Sequence, residues 1–178
     1  MRDRGRGRGR DRDLHIIAAL VEDKPGVLFR ITSLIRRRGF NIDTITVGNT
    51  EREGVSRITF TMLGDVRTVE QLEKQLGKIP DVIKISELAP GEAVYRELAL
   101  VKVIAQDPVK RADILNYISI FRCRVVDASK DSLVVEIVGS PGKVKAFQDL
   151  MRGFGIVEMA KTGIVSLARG SKGTVPPE

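Results

Sequence analysis

The stretch LHIIAALVEDKPGVLFRITSLIRRRGFNI, residues 14–42, decides the fold. It opens on the apolar run Leu14–Val21, which has strand character, and turns at Asp23-Lys24-Pro25-Gly26. From Val27 onward apolar residues recur at helical spacing, predicting a helix over 26–38. Val27, Leu28, Ile31, Leu34 and Ile35 fall on one face, with Arg30, Arg36 and Arg37 toward solvent. Gly39 is placed to end the helix, and a strand follows over 41–49. A helix entered this way presents unpaired backbone N–H groups and the positive end of its dipole. A glycine at that point lets a small anion reach the backbone without meeting a side chain. The turn reads as a receptor for a small carboxylate, and so as part of a metabolite sensor.

Working outward, a strand over 54–63, a helix over 68–78 and a strand over 81–88 complete the first half. Glu53-Gly54 supplies the turn between two strands. The second helix buries Val69, Leu72, Leu76 and Ile79, with Thr68 as N-cap and Gln71 completing a capping box. After the breaker cluster Ala89-Pro90-Gly91-Glu92 the pattern returns. It runs as strand 98–105, helix 109–121, strands 123–129 and 132–138, helix 141–153 and a last strand within 155–168. The inward faces are Leu115, Ile118 and Phe121 in one helix, and Val144, Phe147, Met151 and Phe154 in the other. Gly139-Ser140-Pro141-Gly142 is a strand-to-helix turn without the Lys-Ser/Thr ending of a phosphate loop.

Each half is thus βαββαβ, the ferredoxin-like plan, giving an α+β chain of two such domains in tandem. The expected division is a tail over 1–13, domains over 14–89 and 98–169 joined by a linker over 90–97, and a closing tail over 170–178. Asp23 and Asp43 are as far apart as Asp107 and Asp127, which sets a register between the halves. On that register Gly26 corresponds to Lys110 and Asn41 to Val125. The first half is therefore expected to bind the ligand, and the second to make protein contacts.

Composition bounds the class. Among 178 residues 42% are apolar but only 4% aromatic, with no Trp, so the core is built from Val, Ile and Leu. No signal peptide or membrane-length apolar run is read, and a single cysteine, Cys123, suits a reducing cytoplasm. The net charge is +7; six arginines and three aspartates in residues 1–13 account for +3 of it, leaving +4 spread over the remainder. That is a mild excess, and the tail lacks the aromatics that stack on bases, so it reads as a solvated segment and nucleic acid is not expected as a partner. His15 and Cys123 have no companions at metal-ligand or catalytic spacing, and no acid, base and nucleophile set is present. The sequence gives no catalytic residue, no metal ligand and no cofactor site on this chain.

Over EDKPGVLFRITSLIRRRGFNIDTITVGNTEREGVSRITFTMLGD (22–65), EKQLGKIPDVIKISEL (73–88), YRELALVKV (95–103), ISIFRCRVVDAS (118–129) and KTGIVSLARG (161–170), the chain resembles the regulatory small subunit of acetohydroxyacid (acetolactate) synthase. Residues 14–170 fall within the resemblance, and the first domain is similar to an ACT domain. The resemblance implies a noncatalytic chain that activates a catalytic large subunit and makes it sensitive to valine. Thiamine diphosphate, a divalent metal and FAD are then expected on the large subunit. It implies at least a homodimer through the ACT domains, with valine at their interface near Asp23, Gly26, Val27 and Leu28 of one chain and Asn41 and Ile42 of its neighbour. Asp23 stands where relatives often have Asn, a departure that offers the valine ammonium a carboxylate. The alternative reading is a stand-alone amino-acid-responsive ACT regulator acting on nucleic acid through its arginine-rich tail.

Overall fold

β1 (Asp13–Glu22) is buried on both faces from Ile16 to Val21, so it reads as a continuous apolar run and sits inside a sheet. The computed structural model describes residues 13–89, 91–171 and 173. The arginine-rich tail up to Arg12, Pro90 of the expected linker and most of the closing tail lie outside them. Among the described residues no helix is long and apolar enough to cross a membrane.

The chain divides after Glu92 into two units. In the first, β1 is followed by α1 (Val27–Arg38), β2 (Ile42–Asn49), β3 (Val55–Gly64), α2 (Val66–Leu76) and β4 (Val82–Glu87). The antiparallel sheet has the order β2-β3-β1-β4, and β1 pairs with β3 without a break from Asp13 opposite Gly64 to Glu22 opposite Val55. Ile31 and Ile35 of α1 and Leu72 and Leu76 of α2 pack on Ile17 and Phe60 of the sheet. Gly39 ends α1 at φ +71° with its N–H on the Arg36 and Ile35 carbonyls, as its position foretold.

The second unit repeats the plan with β5 (Ala93–Ile104), α3 (Pro108–Ile120), β6 (Arg124–Ala128), β7 (Ser132–Gly139), α4 (Pro141–Arg152), β8 (Ile156–Lys161) and β9 (Val165–Ala168). Its order is β6-β7-β5-β8, with β9 also on β5. Val101, Val135, Ile114 and Phe147 form the centre of its core, and Phe121 meets Phe147 edge-on at 5.5 Å.

Several sequence expectations need correction. Helix α2 begins three residues earlier than the capping box placed it. Asp65 is the cap; its Oδ1 accepts from the Thr68 N–H at 2.8 Å and the Thr68 hydroxyl at 2.7 Å. The last strand is two, because Thr162–Ile164 stand opposite only Glu97 and Leu98, a bulge that splits it into β8 and β9. β5 starts at Ala93, inside the segment read as linker, since β9 gives Ala93–Arg96 a partner. Leu115 is exposed and Ile114 takes the inward place in α3, while Leu28 of α1 is also exposed.

His15, for which the sequence offered no companion, is buried with Nδ1 2.6 Å from Glu87 Oε1 and Nε2 3.3 Å from the Gly64 carbonyl. Burial and the charge of the same Glu87 push the Glu73 carboxyl above its ordinary value, with Glu70 adding to the rise and the Glu87 N–H opposing it. A raised carboxyl favours the fold while protonated and loses that contribution as pH rises through its folded value. Glu73→Gln should therefore raise the melting temperature at pH 7, and the gain should vanish below about pH 4. Thermal denaturation at both values checks this; an equal gain at both would contradict it.

Candidate functional site: the start of the first helix

Gly26 is the N-cap of α1 at φ +87°, ψ −9°, and no side chain caps the helix there. That backbone alone explains a glycine, because an L side chain is strained in this region. Space does not explain it: a Cβ there would meet only Arg30 Nη1, at 3.7 Å. The Val27 N–H, expected to be free, is taken by the Lys24 carbonyl at 3.3 Å, closing the turn. The Val27 side chain belongs to the core, so Val27 borders the turn through its backbone. Among the described residues no acceptor meets the N–H groups of Gly26, Leu28 or Phe29. These three open donors lie at the positive end of a helix of 12 residues, an arrangement whose dipole and N–H groups favour negative charge.

Asp23 anchors the turn through its N–H on the Gly54 carbonyl at 2.8 Å, with its side chain exposed. Arg30, one helical turn above Gly26, places Nε and Nη2 each 2.8 Å from Asp81 Oδ2 and leaves Nη1 over the turn. Arg30 is exposed, as its position on the helix predicted; its pairing with Asp81 was not legible because Asp81 is distant in the chain.

Asn41 and Ile42 are elsewhere. They lie at the other end of α1, about 18 Å away at 1.5 Å per residue, in a crevice of about 500 Å³ with Thr32, Arg36, Phe40 and Ile45. One chain therefore gathers Asp23, Gly26, Val27 and Leu28 at one end of the helix and Asn41 and Ile42 at the other. Arg36 and Ile45 were not foreseen as neighbours of Asn41. β2, which follows Asn41, is an edge strand of its sheet, with Ile45 and Val47 exposed.

The second unit answers differently at the equivalent place. Matching helix caps rather than aspartates pairs Gly26 with Asp107, not Lys110, because the loops of the two halves differ in length. The Asp107 side chain accepts from the Val109 N–H at 2.8 Å, so α3 supplies its own carboxylate where α1 leaves donors open. Among the described residues no group of three His, Cys, Asp or Glu gathers as metal ligands. Burial pushes the Cys123 thiol up, against a small opposing effect of Lys143, toward its less nucleophilic protonated form.

Two adjoining matches cover this architecture. Residues 17–84 match the acetohydroxyacid synthase small subunit-like ACT domain, and residues 96–170 match the small subunit of acetolactate synthase. The chain belongs to the acetolactate synthase small-subunit family. It is 51% identical over 158 residues to a probable acetolactate synthase small subunit of Methanothermobacter thermautotrophicus, covering 89% of this chain and 94% of that one. It is 46% identical to the acetolactate synthase small subunit of Bacillus subtilis, over 88% and 91% of the two chains. The crystal structure of the acetolactate synthase small subunit from Thermotoga maritima superposes with a TM-score of 0.84 at 38% identity, over 90% of this chain and 99% of that one. The first unit of this small subunit is accordingly its ACT domain, and the tandem ferredoxin-like reading holds.

Proposed function

We propose that this small subunit binds valine where two copies meet through their ACT domains, and that it activates and feedback-inhibits a catalytic large subunit. The observation that carries the reading is the contrast between two equivalent helix starts: open N–H groups at Gly26, Leu28 and Phe29, and a self-supplied carboxylate at Asp107. A free amino acid brings the carboxylate that the first start lacks. Its ammonium pairs with Asp23 and with the Asn41 carbonyl oxygen of a second copy. Leu28, exposed beside the turn, and Ile42 of the second copy enclose the branched side chain, whose burial contributes about 1.5–3 kcal/mol.

Separation of Asn41 from Gly26 along α1 supports a shared site, since one chain does not complete it. The exposed edge strand β2 supports side-by-side pairing of two ACT sheets. Valine then binds the paired arrangement better than any other, and that differential affinity is what reaches the partner, at coupling energies of about 1–3 kcal/mol. Thiamine diphosphate, metal and FAD belong to the large subunit, in the cytoplasm, and this chain supplies regulation. Mixing the purified small subunit with its large subunit tests the reading. Higher acetolactate production that valine then suppresses is expected; no rise, or a rise indifferent to valine, overturns it.

A further inference from the structure

The two helices of the ACT unit leave a groove of about 540 Å³ between α1 and the end of α2. Leu34, Ile79 and Pro80 give it an apolar lining, and Phe29 stands along it 74% exposed. Arg30, Arg37 and Lys78 border it and no carboxylate does. Arg30 is held by Asp81, whereas Arg37 and Lys78 have no acidic partner among the described residues. An exposed aromatic beside unpaired cations complements an apolar side chain flanked by acidic ones.

We infer that this groove receives an acid-flanked apolar segment of the catalytic large subunit, an inference that rests on the regulatory reading above. The groove and the effector turn share two residues. Phe29 offers its N–H to the turn and its ring to the groove, and Arg30 lies over Gly26 while lining the groove. An anion that orders the first turn of α1 therefore alters the surface the large subunit grips, and by linkage the large subunit alters affinity for the anion.

The test uses the full-length chain carrying Arg37→Glu and Lys78→Glu together, and separately Phe29→Ala, each titrated into the large subunit and each titrated with valine by calorimetry. All three side chains are exposed, so folding is undisturbed and valine binding reports it. The double variant should need about tenfold or more protein for half-maximal activation, with valine affinity within about twofold of wild type. Phe29→Ala should shift activation in the same direction. Wild-type activation with unchanged half-saturation in both variants overturns the groove and leaves the regulatory reading standing. Failure of the wild-type chain itself to activate the large subunit overturns both.

Discussion

Gly26→Asp should bind valine at least about tenfold more weakly than Gly26→Asn, a difference of about 1.4 kcal/mol or more. The pair isolates charge from backbone strain. Both side chains have the same shape, and both residue types tolerate the left-handed region at φ +87° better than other L residues. The introduced carboxylate sits where the ligand carboxylate is proposed to sit, and it can take the open N–H groups itself. That outcome already exists in the second unit, where Asp107 satisfies the Val109 N–H. Calorimetric titration of the two variants measures the difference. Equal affinities would mean that the anion does not bind at this helix start.

Phe147→Ala should lower stability by about 3–5 kcal/mol, the usual cost of emptying a buried aromatic position. Phe147 is 0% exposed and takes the edge-on contact of Phe121, so the cavity loses both transfer energy and an aromatic pair. With aromatics at only 4% of the chain, few side chains are large enough to fill the void. Urea unfolding should show a clear drop in midpoint. A change below about 1 kcal/mol would mean the core relaxes around the site.

The helices and strands were legible because their periodicities are strong. Val69, Leu72 and Leu76 mark α2 by helical spacing, and the unbroken apolar run of β1 marks a strand buried on both faces. What escaped depends on partners distant in the chain. The α2 cap is the local exception: Thr68 and Gln71 fit a capping box, but Asp65 three residues earlier takes the Thr68 N–H. β9 was hidden because a bulge at Thr162–Ile164 becomes visible only with β5 alongside. At the turn before α1, glycine and helix start could be read from the sequence. The closure of the Val27 N–H on Lys24 and the reach of Arg30 between Asp81 and Gly26 could not. The register between the halves slipped for a related reason: equal spacing of two aspartate pairs outweighed unequal loops, and the structure sets an uncapped start at Gly26 against a self-capped one at Asp107.

The proposed effector site takes its helix start from one copy and its Asn41 from another. Mixing Gly26→Asp and Asn41→Ala chains under conditions that exchange subunits tests this most directly. Each variant alone damages both sites of a dimer, but a mixed dimer retains one site in which Gly26 and Asn41 are both intact. Valine binding of wild-type affinity, absent in either parent, should return on mixing. Mixtures that bind no more valine than their parents would show that the two ends of α1 do not meet across copies.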